Sequence, residues 1–328
     1  MAELDLLSSI RKNAAEKGKT IVLPESHDDR VLKAAEYLTK EKIAKVVTLG
    51  NPDKIQESAK RLNADLAGVS IIDFEKSEKL NEYGNIYYEM RKQRGKEIPM
   101  EKAVDTFKRD IFFGAMMVKQ GEVDGSVSGS TATTADVMRA SIQVVGMPKG
   151  ISIVSSFFLM VFPQKVYSFA DCAVNPNPDA KQLADIAIST AENHAKLTGE
   201  VANVAMLSFS TKGSAEHELI DKVREATKIA NEKRPDLNID GELQFDAAII
   251  ESIGAKKAPG SKVAGKANVL VFPDLQAGNI GYKIAERLGG AQAIGPISQG
   301  LTKPYFDLSR GCNFMDIVNT AAIAVLMS

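Results

Sequence analysis

Short runs of β-branched residues alternate with longer amphipathic stretches along this chain, and this rhythm limits the fold more than any other feature of the sequence. Strand-like runs KTIVLPE, KVVTLG and VSIIDF begin at residues 19, 45 and 69, and the helix-like stretch DDRVLKAAEYLTK lies between the first two. Parallel sheets are built from such strand, helix and strand units. The sequence therefore predicts a mostly parallel sheet with helices on both faces. VDGSVSGS, at residues 123–130, is a further strand candidate.

The rhythm begins again after Pro148 and Gly150, which predicts a second α/β layer. Its strand candidates are ISIVSSFFLMVF, KVYSFADCAV, ANVAMLSFS and ANVLVFP, and its helical stretches run over residues 179–197, 215–234 and 276–288. A chain of 328 residues suggests two domains, at roughly 100 to 200 residues each, and leaves room for a cleft between them. Residues 313–327 have one broad apolar face and predict a last helix.

The composition, with 44% hydrophobic and 25% charged residues, is that of an ordinary globular protein. A formal net charge of −1 gives no overall field that draws the chain to nucleic acid or to an anionic membrane. The longest apolar run is well short of the ~20 residues that span a bilayer. Cys172 and Cys312 are too few for a disulfide framework, which favours a reducing, cytoplasmic location. Any anion must therefore be bound by a local site.

Several common signatures of catalysis are absent from the sequence. There is no GxxxxGK[ST] loop, no GxGxxG after a strand candidate, and no HExxH or GxSxG. The histidines, His27, His194 and His217, lack the spacing of metal ligands. We therefore predict no metal site and interpret the histidines as loop or surface residues. His27 is of more interest than the others because it follows the end of a strand.

The stretch VSGSTATTADVMRA combines a strand end, a glycine and several hydroxyl side chains, with Arg139 on the helix that follows. Backbone N–H groups at such a turn, together with the helix dipole, favour an anion. The stretch is thus a candidate phosphate cradle with Ser128, Thr131 and Thr133 as candidate ligands. The alternative is that these residues cap a helix, which Thr133 or Thr134 does in either case.

Two further stretches hold candidate binding residues, each with a structural alternative. GNIGYKIAERLGG presents Asn279, Tyr282 and Lys283 on the early part of a helix, where ordinary helix residues are the favoured interpretation. YYEMRKQRG places Arg91 and Arg94 at the end of a helix, where cations are expected from the helix dipole alone. Neither stretch defines a site by itself.

Near the C-terminus, DLSRGCNFMDIVN brings a hydroxyl, a cation, a thiol and a carboxylate into one short span. Asp316 stands three residues after Asn313, which is the spacing of a helix capping box, so a structural role explains Asp316 taken alone. Arg310 offers a forked, permanently charged donor suited to a phosphate or an oxyanion, and Ser309 adds a neutral donor. These neighbours favour a reaction centre.

Taken together, the motifs resemble those of the phosphate acetyltransferase (phosphotransacetylase) family. The resemblance rests on TIVLPESHDDRVLKAA, SGSTATTADVMR, SFADCAVNPNP, FPDLQAGNIGYK, IGPISQGLTKP and DLSRGC with the trailing Asp316. It runs from about residue 19 to the C-terminus and is similar to the short form of the family. It implies the reversible conversion of acetyl-CoA and phosphate into CoA and acetyl phosphate. CoA is then a substrate, and neither a metal nor a redox cofactor is required.

The resemblance also implies a fold and a set of residue roles. The fold is α/β and like that of isocitrate and isopropylmalate dehydrogenases, with two α/β domains, an active-site cleft between them and usually a homodimer. We place the first domain at residues 1–147 plus 298–328 and the second at residues 148–297. By the family's motifs, Asp316 is the base for the CoA thiol, and Arg310 and Ser309 stabilise the reacting acyl phosphate. Arg91 and Arg139 are anion contacts.

Such a base must overcome a difference in acidity. A thiol with a pKa of ~8.5 and an aspartate with a pKa of ~3.9 make proton transfer uphill by about 6 kcal/mol. Asp316 must therefore be buried, so that its pKa rises, or Arg310 must stabilise the thiolate. The thiolate then attacks the acyl carbon in a ternary complex. A covalent route through Cys312 is the rival, although no histidine lies near it in sequence.

Three alternative functions stay open. Phosphate butyryltransferase, or another acyl preference, differs by pocket width, although SFADCAVNPNP favours the acetyl type. An NAD(P)-dependent decarboxylating dehydrogenase shares the implied fold but requires paired aspartates for Mg²⁺. A binding protein without activity is expected to lack one of Asp316, Arg310 and Ser309, and all three are present.

Overall fold

The computed structural model describes residues 6–328, which divide into two compact units. The five-stranded unit comprises Leu7–Gly146 and Leu301–Ser328, and the six-stranded unit comprises Leu6 and Met147–Gly300. Residues 1–5, which the first predicted domain includes, lie outside the described part. Each unit is α/β, which confirms the predicted fold class. No helix of residues 6–328 has the length and apolar character needed to cross a membrane.

The strands and helices follow the predicted alternation. The strands are β1 (Thr20–Leu23), β2 (Lys45–Leu49), β3 (Ser70–Ile72), β4 (Gly125–Ser128), β5 (Ser155–Val161), β6 (Val166–Ala170), β7 (Asn203–Leu207), β8 (Asn238–Leu243), β9 (Val269–Val271), β10 (Gln292–Gln299) and β11 (Tyr305–Asp307). The helices are α1 (Leu6–Ala15), α2 (Asp29–Lys40), α3 (Pro52–Leu62), α4 (Lys79–Gln93), α5 (Met100–Thr106), α6 (Asp110–Gln120), α7 (Thr134–Ala140), α8 (Ala180–Thr198), α9 (Glu218–Lys233), α10 (Phe245–Ile249), α11 (Glu251–Lys257), α12 (Leu275–Arg287) and α13 (Phe314–Met327).

The five-stranded sheet has the order β11-β4-β1-β2-β3, and all of its pairs are parallel. Helix α13 packs against α2, β1 and β4. A core of aromatic side chains from α4 and α6, including Tyr83 and Phe113 with ring centroids 4.8 Å apart, packs against Val22 and Leu49 of the sheet. The last helix and the first strands thus share one core.

The six-stranded sheet has the order β10-β5-β6-β9-β7-β8. The four strands β6, β9, β7 and β8 are parallel, whereas β5 is antiparallel to both of its neighbours. Helix α8 packs against β6, β7 and β9, and α9 packs on α8. Helix α8 begins with a capping box between Asp179 and Gln182, at the position where the sequence pattern predicts a helix start.

Three strands that the sequence pattern did not predict, β8, β10 and β11, each lie at the edge of a sheet. An edge strand has one side without a partner strand, so it tolerates polar residues, glycine and proline that interior strands exclude. β8 contains Asp240 and Gly241, and the register of β10 shifts at Gly295 and Pro296. The sequences of β8 and β10 therefore lack the apolar signal of a buried strand, whereas β11, with buried Tyr305 and Phe306, is only three residues long.

Candidate active site

Three adjacent strands of the five-stranded sheet end at the same edge, and each is followed by a capped helix. Asp28 caps α2 after β1, Thr133 caps α7 after β4, and Asn313 caps α13 after β11. Helix N-termini attract anions, and doubly wound sheets bind ligands where the strand order reverses, here between β1 and β4. This edge is therefore the candidate active site.

Residues 309–312 form the turn after β11 and carry two predicted catalytic side chains, Ser309 and Arg310, which are both exposed. The Cys312 N–H donates to the Ser309 carbonyl at 2.9 Å, and the Gly311 N–H donates to Ser309 Oγ at 3.2 Å. In the described part of the chain, the Arg310 guanidinium has neither a hydrogen-bond acceptor nor a carboxylate partner. It is therefore free to bind an anionic group.

Asp316 lies in the first turn of α13 and is exposed. Its Oδ2 accepts from the Asn313 N–H at 2.8 Å, and its own N–H donates to Asn313 Oδ1 at 3.1 Å, so the predicted capping box is present. Asp316 thus has a structural role, and this exposed position does not provide the burial that a base here would need. Its role as the base stays a prediction.

The predicted phosphate cradle, at residues 129–132, holds an anion that belongs to the protein itself. Glu25 follows β1 and is 2% exposed. Its Oε2 accepts from the first two N–H groups of the turn at 2.6 and 2.9 Å, and its Oε1 accepts from the last two at 2.9 and 2.6 Å. Thr131 Oγ1 also donates to Glu25, at 2.6 Å. The turn does prefer an anion, but Glu25 occupies the N–H groups that phosphate would need.

The other two hydroxyl residues predicted for the cradle are also committed elsewhere. Ser128 is buried, and its Oγ lies 3.3 Å from both Ser126 Oγ and Tyr305 Oη. A side chain in the core offers no surface to a ligand, so the assignment of Ser128 is corrected. Thr133 is the N-cap of α7, the alternative given for it, and its Oγ1 accepts from the Asp136 N–H at 3.2 Å.

Hydrogen bonds keep Glu25 charged in this buried position. Burial raises the pKa of Glu25, but the hydrogen bonds from the turn outweigh that effect and leave the pKa below its ordinary value. His27 Nε2 lies 3.0 Å from Thr131 Oγ1, and its Nδ1 lies 3.9 Å from Asp110 Oδ2. Because the Thr131 proton goes to Glu25, His27 must donate to Thr131. Within residues 6–328, His, Cys, Asp and Glu side chains form no group of three or more that could hold a metal ion.

Arg91, one of the two arginines predicted as anion contacts, lies beside the phenol of Tyr87 together with Arg94. The hydroxyl of Tyr87 donates to Gln143 Oε1 at 2.6 Å, and Arg91 lies 5.9 Å from the Tyr87 ring centroid. Arg94 donates to the Gln143 carbonyl at 3.0 Å. Burial raises the pKa of Tyr87, and the charges of Arg91, Arg94 and Arg139 lower it in part. Arg139 itself pairs with Asp136 at 2.7 Å. The structure therefore places Arg91 and Arg94 beside Tyr87 and Gln143, and the role of Arg139 as an anion contact stays a prediction.

The three candidates on α12 lie in the six-stranded unit, and two of them have structural partners. Asn279 Nδ2 donates to the Cys172 carbonyl at 3.0 Å, and the Tyr282 ring stacks on Phe158 with centroids 4.3 Å apart. Lys283 is exposed, with its Nζ 5.8 Å from the Tyr282 ring. The favoured interpretation of ordinary helix residues agrees with the first two contacts, and binding by Lys283 stays a prediction.

Sequence reasoning missed the two residues that organise this edge, Glu25 and Arg30. Arg30 donates to backbone carbonyls of both the turn after β4 and the turn after β11. The available signal was their place in PESHDDR, directly after a buried strand. It was weak because surface loops are rich in charged residues, and burial of a charge is not visible in a sequence.

Comparison with known proteins gives the same family over the whole chain. The family model described as phosphate acetyl/butaryl transferase matches residues 5–325. A phosphate acetyltransferase of Thermoanaerobacterium thermosaccharolyticum is 52% identical over 99% of this chain and 100% of its own length, and one of Clostridium acetobutylicum is 49% identical over 99% of each. A phosphotransacetylase structure from Streptococcus pyogenes has a TM-score of 0.93 at 43% identity and covers 99% of this chain and 98% of that chain.

These likenesses define the class of the protein, which is that of the acyltransferases. The chain belongs to the phosphate acetyltransferase family, and this membership confirms the resemblance seen in its motifs.

Proposed function

We propose that this chain catalyses the reversible transfer of an acetyl group between CoA and inorganic phosphate. The observation that carries the proposal is the unpaired Arg310 fork beside Ser309, at the strand edge of a chain that is similar over its full length to phosphate acetyltransferases. A fixed guanidinium is suited to hold a phosphate and to stabilise the charge that develops on it.

In the proposed reaction, acetyl phosphate and CoA are bound together. The CoA thiol gives its proton to Asp316, the sulfur forms a bond to the acyl carbon, and the bond from that carbon to the phosphate oxygen breaks. Phosphate leaves with the electron pair, and acetyl-CoA is formed. Arg310 and Ser309 donate to the oxygens on which negative charge develops.

The state of Cys312 supports direct transfer over an acyl-enzyme. Burial raises the pKa of the Cys312 thiol, and the nearby charge of Arg30 lowers it only in part. A buried thiol with a raised pKa is a poor nucleophile near neutral pH. Because Asp316 is exposed, we assign the lowering of the proton-transfer barrier to Arg310, which stabilises the thiolate as it forms.

We propose that Arg91 and Arg139 bind the anionic groups of the substrates, with Arg94 beside them. Arg91 and Arg94 have no carboxylate partner within residues 6–328, and Arg139 shares Asp136 with Arg109. Three guanidinium groups with so little compensation favour a phosphate-bearing ligand. Neither a metal nor a redox cofactor enters the proposed reaction, since it needs only a proton acceptor and anion-binding groups.

We propose that the protein is a cytoplasmic homodimer. Its two cysteines are free, which fits a reducing compartment. A groove of about 880 Å³ in the six-stranded unit is lined by Phe209, Phe245 and Ile284, which are 57%, 49% and 53% exposed. Exposed apolar patches mark protein interfaces. Light scattering should show a dimer that Ile284→Lys dissociates, whereas Val201→Lys, at an exposed apolar residue of the same unit outside the groove lining, should leave it intact.

A phosphate-dependent assay tests the proposed function. Purified protein with acetyl-CoA, phosphate and a chelator should release the CoA thiol and form acetyl phosphate at equal rates. Release only with butyryl-CoA would change the acyl preference within the family. No release with either thioester, or release that the chelator abolishes, would contradict the proposal.

Replacing Asp316 by Asn tests the base separately from the cap. Asn still offers an oxygen to the Asn313 N–H, so the capping box survives while the proton acceptor is lost. We expect kcat to fall by orders of magnitude, with KM for CoA within about twofold. Gln182→Ala, at the same position in the capping box of α8, is the control and should cost some stability but no activity. An equal kcat in Asp316→Asn would limit Asp316 to its structural role.

A further inference from the structure

Arg30, near the start of α2, binds three separate segments of the five-stranded unit with one guanidinium. Its Nη1 donates to the carbonyls of Arg310 and Cys312 at 2.9 and 2.6 Å. Its Nη2 donates to the Ser130 carbonyl at 2.9 Å and to Asp28 Oδ2 at 2.6 Å, and its Nε donates to both oxygens of Asp28 at 3.1 Å. Arg30 therefore joins the turn after β4 to the turn after β11.

All five N–H groups of Arg30 are used in these contacts. A guanidinium has five donors in a planar fork and no acceptor. Each of the two N–H groups on Nη1 and the two on Nη2 has an acceptor. The Nε–H group donates to both oxygens of Asp28, whose negative charge also compensates that of Arg30. Binding a substrate phosphate would require breaking some of these bonds. The geometry therefore favours a structural task for Arg30 over direct substrate contact.

The turn that Arg30 holds has few hydrogen bonds of its own. Residues 309–312 are closed by the two bonds to Ser309 described above, and the Arg310 side chain has no partner in the described chain. The two carbonyls to which Arg30 Nη1 donates, those of Arg310 and Cys312, lie on either side of Gly311. Arg30 thus fixes from outside the backbone direction of the residue that bears the free guanidinium.

We propose that Arg30 is a positioning residue, which holds the backbone of residues 310–312 so that Arg310 and Ser309 meet the reacting phosphate. This inference rests on the proposed function. It assigns to Arg30 an effect on the transition state through Arg310 and no contact with substrate. A lysine cannot replace it, because an ammonium group cannot span both carbonyls and the carboxylate in one plane.

Arg30→Lys is the first variant to test. We expect kcat to fall about 30-fold or more, since misplacement of catalytic groups by about 1 Å can cost ~100-fold, while KM for CoA and phosphate stays within about threefold. In Arg30→Ala, added guanidinium ion should restore part of kcat, and methylammonium should not. Arg61→Lys is the matched control, because Arg61 makes a two-point contact with Asp29 at 2.6 and 2.8 Å on the exposed surface near the same helix. It should change neither constant.

A spectroscopic readout separates this inference from the proposed function. The chain has two cysteines, so ¹⁵N-cysteine labelling gives one amide signal from Cys312 and one from Cys172. Arg30→Lys should shift the Cys312 signal and leave that of Cys172 in place, whether or not the protein is an acetyltransferase. Arg61→Lys should shift neither.

Several outcomes would overturn the proposal. One is an unshifted Cys312 signal in Arg30→Lys. Another is a large rise in KM at unchanged kcat, which would make Arg30 a substrate contact. If Arg30→Ala fails to fold, Asp28→Asn provides the second variant, since it loosens the fork but keeps the cation. It should shift the Cys312 signal by a smaller amount, and no shift there would also count against the proposal.

Discussion

The two units differ in whether every arginine has a carboxylate partner: all three arginines of the six-stranded unit do, whereas in the described part of the five-stranded unit Arg30, Arg61, Arg109 and Arg139 do and others do not. In the six-stranded unit, Arg224, Arg234 and Arg287 each lie within 3.4 Å of a carboxylate oxygen. In the five-stranded unit, Arg91, Arg94 and Arg310 have no carboxylate partner among residues 6–328. Cations that form no ion pair within the protein are available to bind an anionic ligand. The proposed chemistry therefore fits the five-stranded unit, where these cations are left free.

The buried glutamates show the same difference. In the six-stranded unit, Glu242 on β8 fills the hydroxyl-rich loop SFSTKGS at residues 208–214. It accepts from Ser210 Oγ and the Gly213 N–H of that loop at 2.9 Å. It also accepts from the Arg224 fork at 3.0 and 3.1 Å. Burial raises its pKa, but these bonds lower the pKa to about 2. Glu25 fills a similar turn without a direct cation. An internal carboxylate can thus complete a hydroxyl-rich turn by itself, and such a turn in a sequence does not by itself predict a phosphate site.

The largest expected difference is between lysine variants of an unpaired arginine, Arg310, and of a paired one, Arg224. We expect Arg310→Lys to lower kcat by ~10²–10³, because a fork aimed at developing charge is lost, with little change in the unfolding temperature. Arg224→Lys should keep kcat and lower the free energy of unfolding by about 1–2 kcal/mol, since one of its two bonds to a buried carboxylate is lost. Steady-state kinetics and thermal unfolding of both variants provide the measurement. Loss of activity in both would abolish the contrast between the units.

Exchanging the buried glutamates for glutamine should have the next largest effect. Three donors face each oxygen of Glu25, and an amide NH₂ cannot accept from any of them, so we expect Glu25→Gln to lose about 3 kcal/mol of unfolding free energy. Glu242→Gln should lose less, because the half-exposed Arg224 can turn to water.

The pH dependence checks the same carboxylate. The folded pKa of Glu25 lies below its unfolded value, so its stabilisation is present above pH ~4.5 and is lost as the pH falls below that value. The unfolding free energy, measured with denaturant at several pH values between 3 and 7, should therefore rise less steeply with pH in Glu25→Gln than in the natural chain. Identical slopes would mean that Glu25 is not held as an anion.

The smallest expected effect is on stability: replacing either of two aspartates by asparagine should change the unfolding free energy, with opposite signs for the two. Asp307, at the end of β11, has an Oδ1 without a hydrogen-bond partner in residues 6–328, and burial raises its pKa to about 6. A raised folded pKa means that stability falls as the pH rises from ~4 to about 6 and stays lower above it. Asp307→Asn should therefore stabilise the protein by about 1 kcal/mol at pH 8 and remove this slope.

Asp185 is the matched residue in the six-stranded unit, since it is buried but paired with Lys233 and with the Ser152 N–H at 2.8 Å. Asp185→Asn should destabilise at pH 8, because it leaves the cation without its partner. Equal signs for the two aspartate variants would show that pairing is not what separates them.

All of the interior strands were predicted, whereas of the four edge strands only β3 was, from its apolar run VSIIDF. The runs at β1, β2, β4 and β5 lie in sheet interiors and carry continuous apolar or small residues, and all four were predicted. β8, β10 and β11 lie at edges, where half of the backbone groups have no strand partner and polar residues are tolerated, and they were missed. The antiparallel placing of β5 between β6 and β10 was also not predicted, since an isolated apolar run carries no direction.

The sequence by itself determined the α/β class, the family, the helix cap at Asn313 and a cap at Thr133 or Thr134, because these depend on local periodicity, on local hydrogen bonding and on motifs in order along the chain. Only the tertiary structure decided which charges are free. Glu25 and residues 129–132 are about a hundred positions apart, as are Arg30 and Ser130, and Arg30 and Arg310 are separated by 280. The parallel strands decide which residues meet at one edge of the sheet. This meeting decides whether a carboxylate occupies a turn and whether a cation has a partner, and no local sequence pattern shows which distant residues will meet.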